Sequence, residues 1–268
     1  MNGVKYKEVK QVLISGDIHG DFEWICKKIS EYEQVLLIVA GDCGLGFETM
    51  DKTLLKLHNL SKKYLSKHHN EVAFVRGNHD NPDYFKWLEG GERTPLWLKR
   101  FKTIPDYTVI EAAGRQILCV GGAVSVDRLL RQKWMERDHI SPADPFDVSY
   151  YRKDEPPRFQ KELLVEICNP KEIDAVVTHT APSFCDPWSK EGLKEWSMYD
   201  DTLVEDVFSE RKVMDEVFCF LKDRGMTPKS WHYGHYHFSH WRDSEGCRFR
   251  LLDIYELDSL DRVPPVLI

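Results

Sequence analysis

An α/β fold with a parallel core is predicted by the order, length and ends of the apolar runs. Strand-length runs alternate with helix-period segments through the first eighty residues. The runs are continuous rather than alternating, as in strands covered on both faces. Each gives way directly to glycine and polar residues. Val12-Leu13-Ile14 leads into Ser15-Gly16-Asp17, and Phe22, Ile25, Ile29 and Tyr32 then recur at helical spacing. Val35 to Ala40 reads as a buried strand running into Gly41-Asp42, and Leu54, Leu57, Leu60 and Tyr64 mark a second amphipathic helix. Val72 to Val75 is a third strand, ending at Gly77-Asn78-His79-Asp80. Such a β-α-β-α-β series places helices on the faces of a parallel sheet.

Beyond residue 100 the alternation changes. Thr108 to Glu111 and Gln116 to Val120, joined through Gly114, predict a hairpin. Ala123 to Arg158 is rich in charge, aromatics and proline without periodicity; it reads as an insertion or cap in which Trp134, Phe146, Tyr150 and Tyr151 could pack. Phe159, Leu163, Leu164 and Ile167 suggest a helix, and Ile173 to Thr178 a strand. Ala181 to Asp201 is a second irregular stretch, carrying Trp188 and Trp196. The longest helical pattern runs through Leu203, Val207, Met214, Val217, Phe218 and Leu221, and Gly225 is placed to stop it. Ser230 to Tyr233 and Arg248 to Leu257 read as closing strands around Gly234-His235-Tyr236-His237. No repeat or linker divides the chain. Residues 1–268 are expected to form a single domain, with 123–158 and 181–201 as insertions near the functional site.

With 268 residues, 42% of them hydrophobic and 30% charged, the chain can bury a large core and is neither disordered nor fibrous. The longest apolar run, Val35 to Ala40, is far too short to cross a bilayer. Met1 to Gln11 lacks the apolar stretch of a signal peptide. Seven dispersed cysteines without C-x-x-C spacing read as reduced thiols of a cytoplasmic protein. A net charge of −7 argues against an extended nucleic-acid surface but leaves room for a small cationic site.

The polar residues fall where such a site would form. In a parallel α/β core the C-terminal ends of the strands share one edge, where ligand crevices lie. Five segments would bring Asp17, His19, Asp42, Asn78, His179, His235 and His237 there. The D-x-H and H-x-H spacings put two side chains on one side. Imidazole and carboxylate donors without thiolate suit manganese, iron or zinc better than calcium or magnesium. Seven groups exceed one tetrahedral ion and suit two ions sharing a bridge. Two divalent ions, less Asp17, Asp42 and a bridging hydroxide, leave one positive charge to attract a phosphate.

The series D-x-H, G-D, G-N-H-D, a lone histidine after a strand and G-H-x-H, in this order from Asp17 to His237, resembles the calcineurin-like metallophosphoesterase superfamily. The resemblance implies a four-layer sandwich, two mixed β-sheets flanked by helices. It implies that Asp17, His19 and His237 hold one divalent metal, that Asn78, His179 and His235 hold a second, and that Asp42 bridges them. The metals are expected to be Mn2+, with Fe or Zn as alternatives, and a shared hydroxide would attack phosphorus. His79 resembles the family's general acid, with Asp80 orienting its imidazole.

One departure is informative. The superfamily's protein phosphatases follow G-D, after two residues, with Asp-Arg-Gly, whereas here Gly41-Asp42 continues Cys43-Gly44-Leu45-Gly46-Phe47. The phosphate-contacting arginine is absent, which speaks against a protein phosphatase. Arg128 and Arg131 are candidate substitutes from the insertion. The expected function is therefore hydrolysis of a phosphomonoester on a small molecule or nucleotide, without a membrane partner. A phosphodiesterase or nuclease with the same centre, and a non-catalytic scaffold of this fold binding a protein partner, are the alternatives.

Other features have simpler readings. Cys43 reads as a small buried residue rather than a redox centre. Lys56, Lys62, Lys63 and Lys67 read as the solvated face of a helix. Trp134, Trp188 and Trp196 read as packing residues before base-stacking ones.

Overall fold

The computed structural model describes residues 3–89, 100–140, 148, 150–168 and 172–260. The first half builds as the apolar runs require. After a short strand β1 (Gly3–Tyr6) come β2 (Gln11–Ser15), α1 (Phe22–Ile29), β3 (Val35–Ala40), α2 (Met50–Leu60), β4 (Glu71–Val75), α3 (Pro82–Glu89) and β5 (Phe101–Ile104). Asp21 caps α1 by accepting from the Trp24 N–H at 3.0 Å, satisfying one orphan donor of the first turn. The predicted second helix continues past Leu60 through a π turn, Ser61–Leu65, and a 3-10 turn, Ser66–His68.

The second half holds β6 (Thr108–Ala112), β7 (Arg115–Val120), α4 (Arg128–Arg137), α5 (Lys161–Ile167), β8 (Ala175–Thr178), α6 (Leu193–Trp196), α7 (Leu203–Lys222), β9 (Ser230–Tyr233), β10 (His240–Ser244), β11 (Cys247–Leu251) and β12 (Leu257–Ser259). The hairpin turns on Ala113 and Gly114, both at positive φ. α7 stops where Gly225, at φ +71°, donates to the Lys222 carbonyl while Met226 donates to that of Leu221.

These strands form two mixed sheets. One has the order β12-β2-β3-β4-β5, parallel except for β12; the other has the order β1-β6-β7-β8-β9-β11-β10. Val12, Ile14, Leu36, Ile38, Ala73 and Val75 of the first sheet pack on Ile110, Ile117, Cys119, Ala175 and Val177 of the second. The outer face of the first sheet packs on α1, α2 and α3 through Phe22, Ile25, Ile29, Leu57 and Tyr84. That of the second packs on α5 and α7 through Leu164, Met214, Val217, Phe218 and Leu221. Both faces of each sheet are covered, which is why β3 is buried at every residue and reads as a continuous apolar run. The result is the four-layer sandwich.

Three readings change. The aperiodic stretch 123–158 contains a ten-residue helix, α4. Only Arg131 and Met135 of it are buried, too few for a hydrophobic period. Its Phe146 lies outside the described residues. The expected strand Arg248 to Leu257 is two strands in different sheets, because the chain leaves β11 after Leu251 and crosses to pair β12 with β2. Ile173 and Asp174 precede β8 rather than belonging to it.

Candidate metal centre

Backbone at the ends of β2, β3 and β9 turns sharply to aim side chains inward. His19, Asp42, His235 and His237 all have positive φ, between 42° and 72°. Neighbouring glycines allow the close approach. A Cβ at Gly41 would stand 2.1 Å from the His179 ring, and one at Gly77 would stand 2.1 Å from the Asp42 backbone nitrogen.

All seven expected ligands lie at this edge. The Asp17 carboxylate accepts the His235 backbone N–H on Oδ1 at 3.0 Å, and its Oδ2 lies 3.0 Å from His237 Nε2. His19 Nε2 is 3.2 Å from His237 Nε2 and 3.7 Å from Asp17 Oδ2. Across the site, His179 Nδ1 lies 2.8 Å from the Ala40 carbonyl. A carbonyl only accepts, so the proton is on Nδ1 and Nε2 is left facing inward. That Nε2 lies 2.9 Å from Asn78 Oδ1 and 3.4 Å from Asp42 Oδ1. The Asn78 amide is oriented because its Nδ2 donates to Ser125 Oγ at 2.9 Å. Asp42 Oδ1 also accepts the His79 backbone N–H at 2.8 Å.

Two groups of potential ligand atoms therefore converge: Asp17 with His19 and His237, and Asp17 with Asp42 and His179, each set lying within 4.8 Å of one another. A single proton can bridge one pair of such atoms but not three, whereas a cation satisfies all of them. The donor set, imidazole and carboxylate without thiolate, fits a divalent transition metal. Asp17 is common to both groups, whereas the expected bridge was Asp42. His235 belongs to neither group; its Nδ1 accepts from Lys190 Nζ at 3.1 Å.

Electrostatics follow from burying so many charges together. Burial opposes the charge of Asp42, yet the imidazoles of His179, His79 and His19 hold its pKa well below the usual range. Burial likewise opposes the imidazolium of His179, but the carboxylates of Asp42 and Asp17 prevail and keep its pKa at about 9. His235 is pushed well down by burial and then by the Lys190 ammonium. Burial outweighs the pull of Asp42 on His79 and lowers it to about 4. The site opens on one side: the side chains of His19, His79 and His237 are 27%, 30% and 43% exposed, whereas Asp17 and His179 are sealed.

Two expectations are corrected. Asp80 does not face the His79 ring. Its Oδ1 accepts from Gly44 and Leu45 N–H, and its Oδ2 from Gly77 and Cys43 N–H, at 2.7 to 3.1 Å. It clamps the loop after β3 to the loop after β4. Arg128 is consumed by a bidentate pair with Asp200 and a further pair with Asp206. It fastens α4 to the start of α7.

Arg131 is buried beside the site, donating to Ser125 Oγ and lying 3.5 Å from Glu155 Oε2. Ser125, Glu155 and Lys190 were not foreseen. Ser125 follows the end of β7, the same kind of position as the other polar residues, and that was its one sequence signal. Glu155 accepts the Ser125 N–H at 2.7 Å and is itself held by Arg76, which donates to its carbonyl at 2.7 Å. No local pattern marks Lys190.

The simpler readings of Cys43 and the lysines agree with their settings. The Cys43 thiol is buried and donates to the Val75 carbonyl at 3.2 Å, and Lys56, Lys62, Lys63 and Lys67 are exposed. Trp134 meets Tyr150 edge to face and Trp196 packs with Val124, Leu193 and Leu203, but Trp188 is 67% exposed. Among the described residues no helix is long and apolar enough to cross a membrane.

An uncharacterized protein of Haemophilus influenzae is 28% identical over 183 residues, 64% of this chain and 70% of that protein. The structure of a phosphopantetheinyl hydrolase from Mycobacterium tuberculosis is similar at 15% identity and a TM-score of 0.42, over 97% of this chain and 98% of that one. A protein that is the anchor in the inner membrane complex of Plasmodium is similar at 12% identity and a TM-score of 0.42, over 91% and 71% of the two chains. The profile of the calcineurin-like phosphoesterases matches residues 10–237, from just before β2 to the last histidine of the convergent edge, and the chain belongs to that family of phosphoester-hydrolysing enzymes.

Proposed function

We propose that this protein hydrolyses a phosphomonoester on a small molecule or nucleotide, using a centre for two divalent metal ions. The observation that carries this reading is the convergence of ligand atoms from Asp17, His19, His237, Asp42, His179 and Asn78 at one edge of the sheets. Asp17, His19 and His237 would hold one ion, Asn78, His179 and His235 the other, with Asp42 between. Mn2+ is the metal preferred, with Fe or Zn as alternatives. Bound ions would neutralise phosphoryl oxygens and acidify a water.

The chain's own residues do the rest. The exposed rim of His19, His79 and His237 admits substrate, and the sealed carboxylates below keep the centre charged. His79 stands neutral in the free site; the negative charge of an arriving phosphate raises its pKa, and the imidazolium then protonates the leaving oxygen. Arg131 lies behind this rim, tied to Ser125 and Glu155 through Nη1, and contributes positive charge toward a phosphate. The chain would act as one domain, the described parts of segments 123–158 and 181–201 bringing Ser125, Arg131, Glu155 and Lys190 to the site. The seven cysteines are free thiols, six of them buried, which supports a cytoplasmic setting.

The same centre would serve a phosphodiesterase. Hydrolysis of mono- and bis-nitrophenyl phosphate with added Mn2+ separates the two, the monoester being the better substrate if the reading is right. Chelation should abolish turnover and Mn2+ restore it; activity that survives exhaustive chelation overturns the metal centre.

A further inference from the structure

Lys190 brings an ammonium into the candidate centre from the irregular segment between β8 and α7. Its Nζ donates to His235 Nδ1 at 3.1 Å and also to the His235 carbonyl. A neutral imidazole nitrogen has one lone pair, which can serve an N–H donor or a cation but not both. His235 is also the one expected histidine that stands outside both convergent groups.

The lysine is not there by chance of a loose loop. Arg211 of α7 donates to the carbonyls of Pro182, Cys185 and Pro187, pinning the segment that leads to it. Ser183 donates to Asp215 through both its backbone N–H and its hydroxyl at 2.7 Å, and the Tyr233 hydroxyl donates to the Asp186 carbonyl at 2.7 Å. The ammonium lies 5.8 Å from the Tyr236 ring centre, within reach of its π face.

We propose, resting on the metal-centre reading above, that the Lys190 ammonium competes with the cation at the Asn78–His179–His235 corner for the Nδ1 lone pair of His235. The two positive charges repel at such separation, so filling this corner requires the ammonium to swing away on its four-carbon stem. The Asp17–His19–His237 group has no such competitor among the described residues. The two positions therefore fill unequally: the first readily, the second only when the cation outcompetes the lysine. The protein would carry one ion plus an ammonium at low metal and two ions at high metal.

The test is a Mn2+ titration of the metal-free protein, read by calorimetry and by the electron paramagnetic resonance of free Mn2+, for wild type, Lys190→Met and Lys190→Arg. Lys190→Met should bind the second equivalent about tenfold or more tightly than wild type, with the first unchanged. Lys190→Arg, which keeps the charge, should leave the second step weak. Lys190→Gln serves as the neutral variant should methionine disturb the segment, with thermal unfolding of each metal-free variant checking the fold. Two equivalents bound with the same second-step affinity in wild type and the neutral variant would overturn the lysine's role and leave the metal centre standing. Failure of both proteins to take up two equivalents would overturn the metal centre, and this inference with it.

Discussion

The side-chain amide of Asn78 donates to Ser125 Oγ over 2.9 Å, so that a residue from beyond β7 decides which end of an amide after β4 faces the candidate centre. Ser125 Oγ also accepts from Arg131, leaving the hydroxyl acting as acceptor toward both. Ser125→Ala frees the amide to rotate and leaves the buried Arg131 without one partner. The affinity for Mn2+ is expected to fall about 10- to 100-fold, measured by calorimetry. An unchanged isotherm would show that Asn78 needs no such support.

Asp42 touches both sides of the site, through His179 Nε2 at 3.4 Å and the His79 N–H at 2.8 Å. Asp42→Asn keeps the shape and removes the charge. Turnover of nitrophenyl phosphate with Mn2+ should drop at least about a hundredfold. Substantial residual activity would contradict a place between the two ions.

His79→Ala removes a ring on the open rim without removing a member of either convergent group. Cation binding should survive. The loss in rate should be about a hundredfold for an alkyl phosphate, whose leaving oxygen needs a proton, and small for nitrophenyl phosphate. Equal losses for both substrates would argue against proton donation.

Asp80 concerns stability first. Burial and then the charge of Asp42 raise its pKa to about 6, against the four N–H groups it accepts, so it is ionised at neutral pH. Asp80→Asn turns an NH2 toward two of those four donors. A loss of about 3 kcal/mol is expected from denaturant unfolding, and the variant should bind cations poorly because both loops drift apart. Wild-type stability in this variant would mean that the clamp contributes nothing.

Glu155 gives a pH signature. Burial raises its pKa from 4.5 to about 8, despite Arg131 and the hydrogen bonds from Ser125, while Asp127 adds to the rise. Below 4.5 the carboxyl is protonated in both folded and unfolded chains. As pH rises toward 8 the unfolded chain ionises first, so this group's contribution to stability falls through that window and levels above it. Glu155→Gln stays neutral throughout. Its Tm should exceed wild type at about pH 8.5 and converge with it near pH 5; a constant gap would place the carboxylate among ordinary acids.

The strands and their polar ends were legible because burial on both faces writes itself as an unbroken apolar run. Val35 to Ala40 is the clearest case. Edge strands carry no such mark. β10 alternates half-buried and exposed residues, His240 to Ser244, with no apolar run to show it. α4 escaped because its partners are ionic: Arg128 meets Asp200 and Asp206, more than seventy residues away, and only the fold brings them together. The same arithmetic explains the misreading of Arg128 as a substrate residue. Asp80 was misassigned for the opposite reason, since a residue beside His79 in sequence points the other way in space, toward the loop after β3. Lys190 lies forty-five residues before the histidine it touches, and its neighbours Ser189 and Glu191 say nothing of a destination.

The left-handed backbone at His19, Asp42, His235 and His237 has an evolutionary and engineering corollary. Each such residue carries about 1–3 kcal/mol of local discomfort that glycine would relieve. Selection for robustness alone would drift these four positions to glycine and leave a sturdier protein with nothing to aim. Thermostabilised descendants of this chain that keep their chemistry should owe the gain to changes elsewhere, in the layers rather than at the rim.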